Sequence, residues 1–197
     1  MVERKIVIYG FETSNNLKVR VALEHKGIDY EFRTIDPADR SEVVRVSGQF
    51  LTPVMVDGPT VLFDSAAILR YLDANFPHTP KLFGRDRGEQ WQIEDWERFG
   101  RGALAEPMMR IVHARVAGQA VDDEMRAAAA RDLEAALGKL ARRLAGRTWL
   151  VGETMSAADV TCVAVVERLR RSGALPLPQG YPAAFALADR VFGRSTV

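Results

Sequence analysis

Two short polar clusters stand where the chain changes from extended to helical, and they carry most of the chemistry available to it. The first is Thr13-Ser14-Asn15-Asn16, after the β-branched run Ile6 to Tyr9 and ahead of a helical stretch. Two hydroxyls and an amide there combine hydrogen-bond donors with the positive end of a helix, which is equipment for holding an anion. Thr13 or Ser14 can equally be a plain N-cap. The second cluster is Asp64-Ser65, at the start of another helical stretch. A hydroxyl and backbone N–H groups at a helix start suit a carboxylate, and the acidic side chain suits an ammonium. Capping alone is again the simpler role.

Other reactive side chains give less. His25, His78 and His113 share no metal-ligand spacing and read as surface or packing residues, so neither a metal nor a tightly bound cofactor is implied. The one cysteine, Cys162, lies in the apolar run Val160 to Val166 and reads as an inert core thiol. A single cysteine forms no intramolecular disulfide, which fits a reducing compartment. The 27 basic and 26 acidic residues leave a net charge of +1 with no basic stripe, which argues against nucleic-acid binding. Met1-Val2-Glu3-Arg4-Lys5 leads into too short an apolar run for a signal peptide, and the run stopped by Glu167 is too short to span a bilayer. A cytoplasmic protein without a membrane partner is expected. With 197 residues, 47% of them hydrophobic, the chain can bury one large core or two small ones.

The elements that must position the two clusters follow from periodicity. Ile6 to Tyr9 and Tyr30 to Ile35 read as strands, joined by a helix over Leu17 to Lys26 that Gly27 closes. Asp39 to Ser47 reads as a short helix. Pro53 to Val56 and Thr60 to Phe63 flank Asp57-Gly58-Pro59 as a hairpin, and Asp64-Ser65 caps a helix ending near Phe76-Pro77. The order β-α-β-α-β-β-α demands a parallel first pair and an antiparallel last pair, so one mixed four-stranded sheet satisfies both. Pro77 to Gly88 breaks the periodicity. The expected domains are 1–77 and 89–197, with 78–88 as linker.

The second domain reads as all helical. Trp91 to Ala117 forms a long segment that Pro107 should kink, and Asp122 to Ala145 is a helix with Leu133, Leu137, Leu140 and Leu144 on one face. Ser156-Ala157-Ala158-Asp159 has the form of a capping box, and Tyr181 to Phe192 makes a last helix.

Four segments in this order carry a family resemblance: Thr13-Ser14-Asn15-Asn16-Leu17-Lys18-Val19-Arg20, Thr52-Pro53-Val54-Met55-Val56-Asp57-Gly58, Phe63-Asp64-Ser65-Ala66-Ala67-Ile68, and Met155-Ser156-Ala157-Ala158-Asp159-Val160. Over essentially its whole length the chain resembles the cytosolic glutathione transferases, with a serine/threonine-type active-site loop. The resemblance implies an α+β thioredoxin-like N-terminal domain followed by an all-α domain. It also implies glutathione as co-substrate, an apolar electrophile held against the second domain, and a homodimer.

The resemblance also assigns roles. A free thiol ionises near pH ~8.5, so it must be held as thiolate to be a good nucleophile at neutral pH. Thr13 falls where serine-type members place the activating hydroxyl, Ser14 is the next hydroxyl, and Asn15 matches the amide of a bacterial subgroup with a Thr-Pro-Asn-Gly-like loop. Tyr9 is the rival, since some members use a tyrosine near the end of the first strand; its plain role is a buried tyrosine with its hydroxyl tied to a neighbour. Pro53 is expected to be cis, with the Thr52 backbone turned to the cysteinyl amide, and Asp64 and Ser65 are expected at the γ-glutamyl end. One departure stands out. Where the family often has Lys, Arg or Gln, just before Thr52-Pro53, this chain has Phe50 and Leu51. Gln49 or Arg40 is left to hold the glycyl carboxylate. Glutathione-dependent disulfide reduction or peroxidase activity, and a non-catalytic interaction module, are the alternative functions.

Overall fold

The computed structural model describes residues 5–193; Met1-Val2-Glu3-Arg4, which carry part of the expectation about a leader, lie outside the described residues. The chain forms two compact units that divide between Phe83 and Gly84.

The first unit is built on a four-stranded sheet in the order β2-β1-β3-β4. Strand β1 (Ile6–Gly10) pairs in parallel with β2 (Tyr30–Thr34), because a helix carries the chain back between them. It pairs antiparallel with β3 (Val54–Asp57), which turns through Gly58-Pro59 into β4 (Thr60–Leu62). Gly58 has φ +56°, a left-handed conformation that glycine adopts at little cost. The register sets Tyr9 opposite Val54 and Val7 opposite Val56. These four share a face with Ile35 and with Val43 and Val46 of α2 (Ser41–Ser47). Ile6, Ile8 and Met55 occupy the other face and are fully buried. Asp57 lies on that second face and accepts from the hydroxyl of Tyr71 on α3 (Ser65–Asn75) at 3.0 Å. Helices α1 (Ser14–Lys26) and α3 pack against each other.

Helix α1 begins before the apolar periodicity does, because Thr13 caps it: its Oγ1 accepts from the Asn16 N–H at 3.2 Å. Asp64 caps α3 by accepting from the Ala67 N–H at 2.8 Å. Where α1 ends, Lys26 is buried and donates to Asp73 of α3 at 3.0 Å and to the Pro80 carbonyl at 2.9 Å. The same Asp73 oxygen accepts from the Leu82 N–H at 2.8 Å. One ion pair thus fastens the segment after α3 to both helices.

In the described residues the second unit is helical: α4 (Arg87–Phe99), α5 (Glu106–Val116), α6 (Asp123–Leu144), α7 (Ala157–Ser172) and α8 (Pro182–Phe192). This corrects the expected single helix kinked at Pro107. The interruption is a π-helical turn over Gly100–Leu104, and Pro107 sits in the first turn of α5, where its missing N–H costs nothing. Gly100 explains the place of the break. A β-carbon there would lie 2.9 Å from Thr161 Cγ2 and 3.2 Å from Cys162 Sγ, so only glycine lets the turn press this closely on α7. Cys162 is buried in that contact, 3.8 Å from the Trp96 carbonyl.

The capping box forms. Asp159 Oδ2 accepts from the Ser156 N–H at 2.9 Å and the Ser156 hydroxyl at 2.8 Å, while Oδ1 accepts from the Leu150 N–H at 2.8 Å. The carboxyl is fully buried, and burial pushes it up to about 6 against the pull of those three donors.

Candidate active site

The two polar clusters, far apart in sequence, meet in the first unit. Parallel pairing of β1 with β2 leaves the start of α1 at the end of β1, and antiparallel pairing of β3 brings Thr52 to the same end of the sheet. Asn16 of α1 then bridges the loops: its Nδ2 donates to Thr13 Oγ1 at 2.8 Å and to Thr52 Oγ1 at 3.0 Å. The start of α3 joins through Ser65, whose hydroxyl donates to Asn15 Oδ1 at 3.3 Å. Thr13, Asn15, Thr52 and Ser65 are therefore linked in one neighbourhood by two helix N-termini and one loop. The Thr52–Pro53 bond is cis, and Pro53 is buried just ahead of β3. Ser14 is half-buried in the first turn of α1, and the Asp64 carboxylate is exposed at the cap of α3.

The arrangement has an electrostatic sense. Two helix starts present backbone N–H groups and partial positive charge, and no acidic residue stands in the first turn of either helix. Hydroxyls, an amide and N–H dipoles around a partly exposed space can hold a small zwitterion with a polarisable anion.

Three of the sequence-derived residues stand outside this group. Tyr9 is buried on the α2 face, and its hydroxyl accepts from Arg33 at 2.9 Å, with the guanidinium carbon 5.3 Å from the ring centre. Arg33 also pairs with Glu31, whose carboxyl Lys5 and Arg33 together hold down to about 2. Gln49 folds back on its own loop, where its Nε2 donates to Ser47 Oγ at 2.8 Å and to the Leu51 carbonyl at 3.0 Å. Arg40 donates to the Phe50 carbonyl at 3.1 Å and lies 4.9 Å from the centre of the Phe11 ring. Phe50 and Leu51 are about two-thirds exposed, at 66% and 67%.

Two residues that the sequence does not single out, Asn16 and Gly10, also belong to the site. Asn16 is buried, and Gly10 ends β1 directly beneath it. Asn16 stands inside the polar cluster, but nothing in its spacing announces a bridge to Thr52. Separately, the helical unit has a hollow of about 520 Å³ lined by Met109, Arg110, His113, Ala114, Ala117 and Met125, among others. Among the described residues there is no group of three or more His, Cys, Asp or Glu able to hold a metal, and no helix is long and apolar enough to cross a membrane.

Comparison with known proteins assigns both units to one family. Residues 8–80 match the model for the glutathione S-transferase N-terminal domain, and residues 104–195 match that for the C-terminal domain. The chain is 31% identical over 175 residues to glutathione S-transferase 4 of Zea mays, covering 82% of this chain and 76% of that one. It is 30% identical over 161 residues to a glutathione S-transferase-like protein of a Fusarium species, covering 80% and 69%. A glutathione S-transferase from Methylobacterium radiotolerans, solved in complex with glutathione sulfonate, shares the fold with a TM-score of 0.81 at 24% identity, over 97% of this chain and 94% of that one. Fold, domain order and relatives coincide: the chain belongs to the glutathione S-transferase family and carries both of that family's domains in the family's order.

Proposed function

We propose that the chain conjugates the thiolate of glutathione to an apolar electrophile, using the cluster at the start of α1 to ionise the thiol. The observation that carries this reading is the convergence of Thr13, Asn15, Thr52 and Ser65 in one neighbourhood beside two helix N-termini. Thr13 is the main donor to the sulfur, with Asn15 or Ser14 as auxiliaries. The Thr52 backbone takes the cysteinyl amide, and Ser65 with Asp64 takes the γ-glutamyl end, the hydroxyl and N–H groups meeting its carboxylate and Asp64 its ammonium. Gln49 and Arg40 are both engaged near their own loop, so either would have to leave its present partners to take the glycyl carboxylate. The working form is a cytoplasmic homodimer. Phe50, Leu51, Val61 and Phe63 are exposed apolar side chains of the first unit that a second copy would cover.

Losing a hydrogen bond to a charged group typically costs about 1.5–3 kcal/mol, or roughly ten- to a hundred-fold in rate when the bond acts in the transition state. Thr13→Ala is therefore expected to lower kcat by about that factor, measured with a generic aryl halide at saturating glutathione. Asn15→Ala should do so less.

The exposed Phe50-Leu51 pair also favours a second reading, a non-catalytic interaction module. Calorimetric titration with glutathione separates the two: no heat at millimolar ligand selects the module. Binding with disulfide turnover but no aryl halide turnover selects a glutathione-dependent reductase instead.

A further inference from the structure

We propose that Asn16 is a positioning residue that turns the Thr13 and Thr52 hydroxyls into outward-facing donors; the proposal rests on Thr13 being the donor to the thiol. A hydroxyl has two acceptor lone pairs and one proton. Thr13 Oγ1 accepts from Asn16 twice, from the backbone N–H at 3.2 Å and from Nδ2 at 2.8 Å. Both lone pairs are then occupied from within the chain. What remains is the O–H, which can only donate. Thr52 Oγ1 is biased in the same direction by the second Nδ2 bond at 3.0 Å. Donors that feed a hydroxyl also polarise it and strengthen the bond it makes next. Donation to an ionised sulfur favours the charged form, which is how a thiol pKa is lowered.

The orientation of the amide is held from below. Asn16 is 1% exposed, and its Oδ1 is buried with no hydrogen-bond partner among the described residues. An unpaired buried carbonyl is costly and calls for a reason. Both amide protons are committed to Thr13 and Thr52, and that commitment leaves the oxygen over Gly10. A β-carbon on Gly10 would lie 1.6 Å from Asn16 Oδ1 and 2.5 Å from Cγ. Gly10 is not among the glycines with positive φ, so what the site requires of it is space.

The test is the thiolate absorbance of bound glutathione against pH, at saturating ligand, for four variants. Asn16→Leu keeps the shape and removes the donor without adding charge. It is expected to raise the ionisation midpoint by about half a pH unit or more. Asn16→Asp should raise it further, because its oxygens draw the two hydroxyl protons inward. Gly10→Ala should reproduce the rise by displacing the amide without removing any polar group, and it serves if an Asn16 variant fails to fold. Thr13→Ala is the reference. If Thr13→Ala moves the midpoint and neither Asn16→Leu nor Gly10→Ala does, Asn16 is only a packing residue and the proposal is overturned. A midpoint unmoved in Thr13→Ala itself removes the reading of Thr13, and the proposal falls with it.

Discussion

Replacing Asp159 by alanine is expected to destabilise the helical unit by about 3–5 kcal/mol, because it orphans three buried donors at roughly 1–3 kcal/mol each, less what relaxation returns. The donors are the N–H groups of Leu150 and Ser156 and the Ser156 hydroxyl. They join the loop before α7 to the first turn of α7, so the loss falls on a core helix. Asp159→Asn should recover only part of the loss, since its amide nitrogen would face one set of donors. Urea unfolding followed by midpoint and slope measures both variants. A loss below about 1 kcal/mol for alanine would mean that water replaces the carboxylate without penalty.

The same residue gives a pH signature. Its folded-state value of about 6 lies above the ordinary Asp value of about 3.9. Between those values the native state binds more protons than the unfolded chain, so this group's contribution falls as pH rises from about 4 to about 6 and is level above. The stability advantage of the parent over Asp159→Asn should therefore be largest near pH ~4 and shrink towards pH ~6.

Asp73→Ala is the second large expected effect, also about 3–5 kcal/mol, because among the described residues it leaves the buried ammonium of Lys26 with the Pro80 carbonyl alone. The Leu82 N–H loses its acceptor at the same time. Removing both charges is a different matter. Lys26→Met with Asp73→Leu should regain much of the loss, since apolar replacement of a buried pair is often close to neutral. Unfolding of the single and double variants decides it. Equal losses in both would show that the segment after α3 is held by the bond to Leu82 and not by the charges.

These residues mark how far the sequence can be read. Element order, the senses of the first and last strand pairs, and caps at Thr13-Ser14 and at Asp64 are legible, because each follows from local spacing and from the length of a connection. The interruption at Gly100–Leu104 is not: Pro107 is the louder local signal, while the contact that needs a bare glycine comes from Thr161 and Cys162 on α7. Nothing local marks Lys26, at the end of its helix, as a buried residue; the tertiary partner Asp73 makes it one. Asn16 is hidden for the same reason. Its distant acceptor, Thr52, lies 36 residues along the chain, and its seat is a glycine at a strand end. Tyr9 can be weighed against Thr13 from the sequence only by resemblance; in the folded chain Arg33 occupies its hydroxyl on the α2 face.

Whether the start of α1 ionises the thiol is tested most directly by the pH dependence of bound glutathione thiolate absorbance in Thr13→Ala and Tyr9→Phe. Thr13→Ala should ionise at a higher pH than the parent, and Tyr9→Phe should titrate as the parent does. A midpoint that moves in Tyr9→Phe and stays in Thr13→Ala would contradict the assignment and transfer the role to the tyrosine.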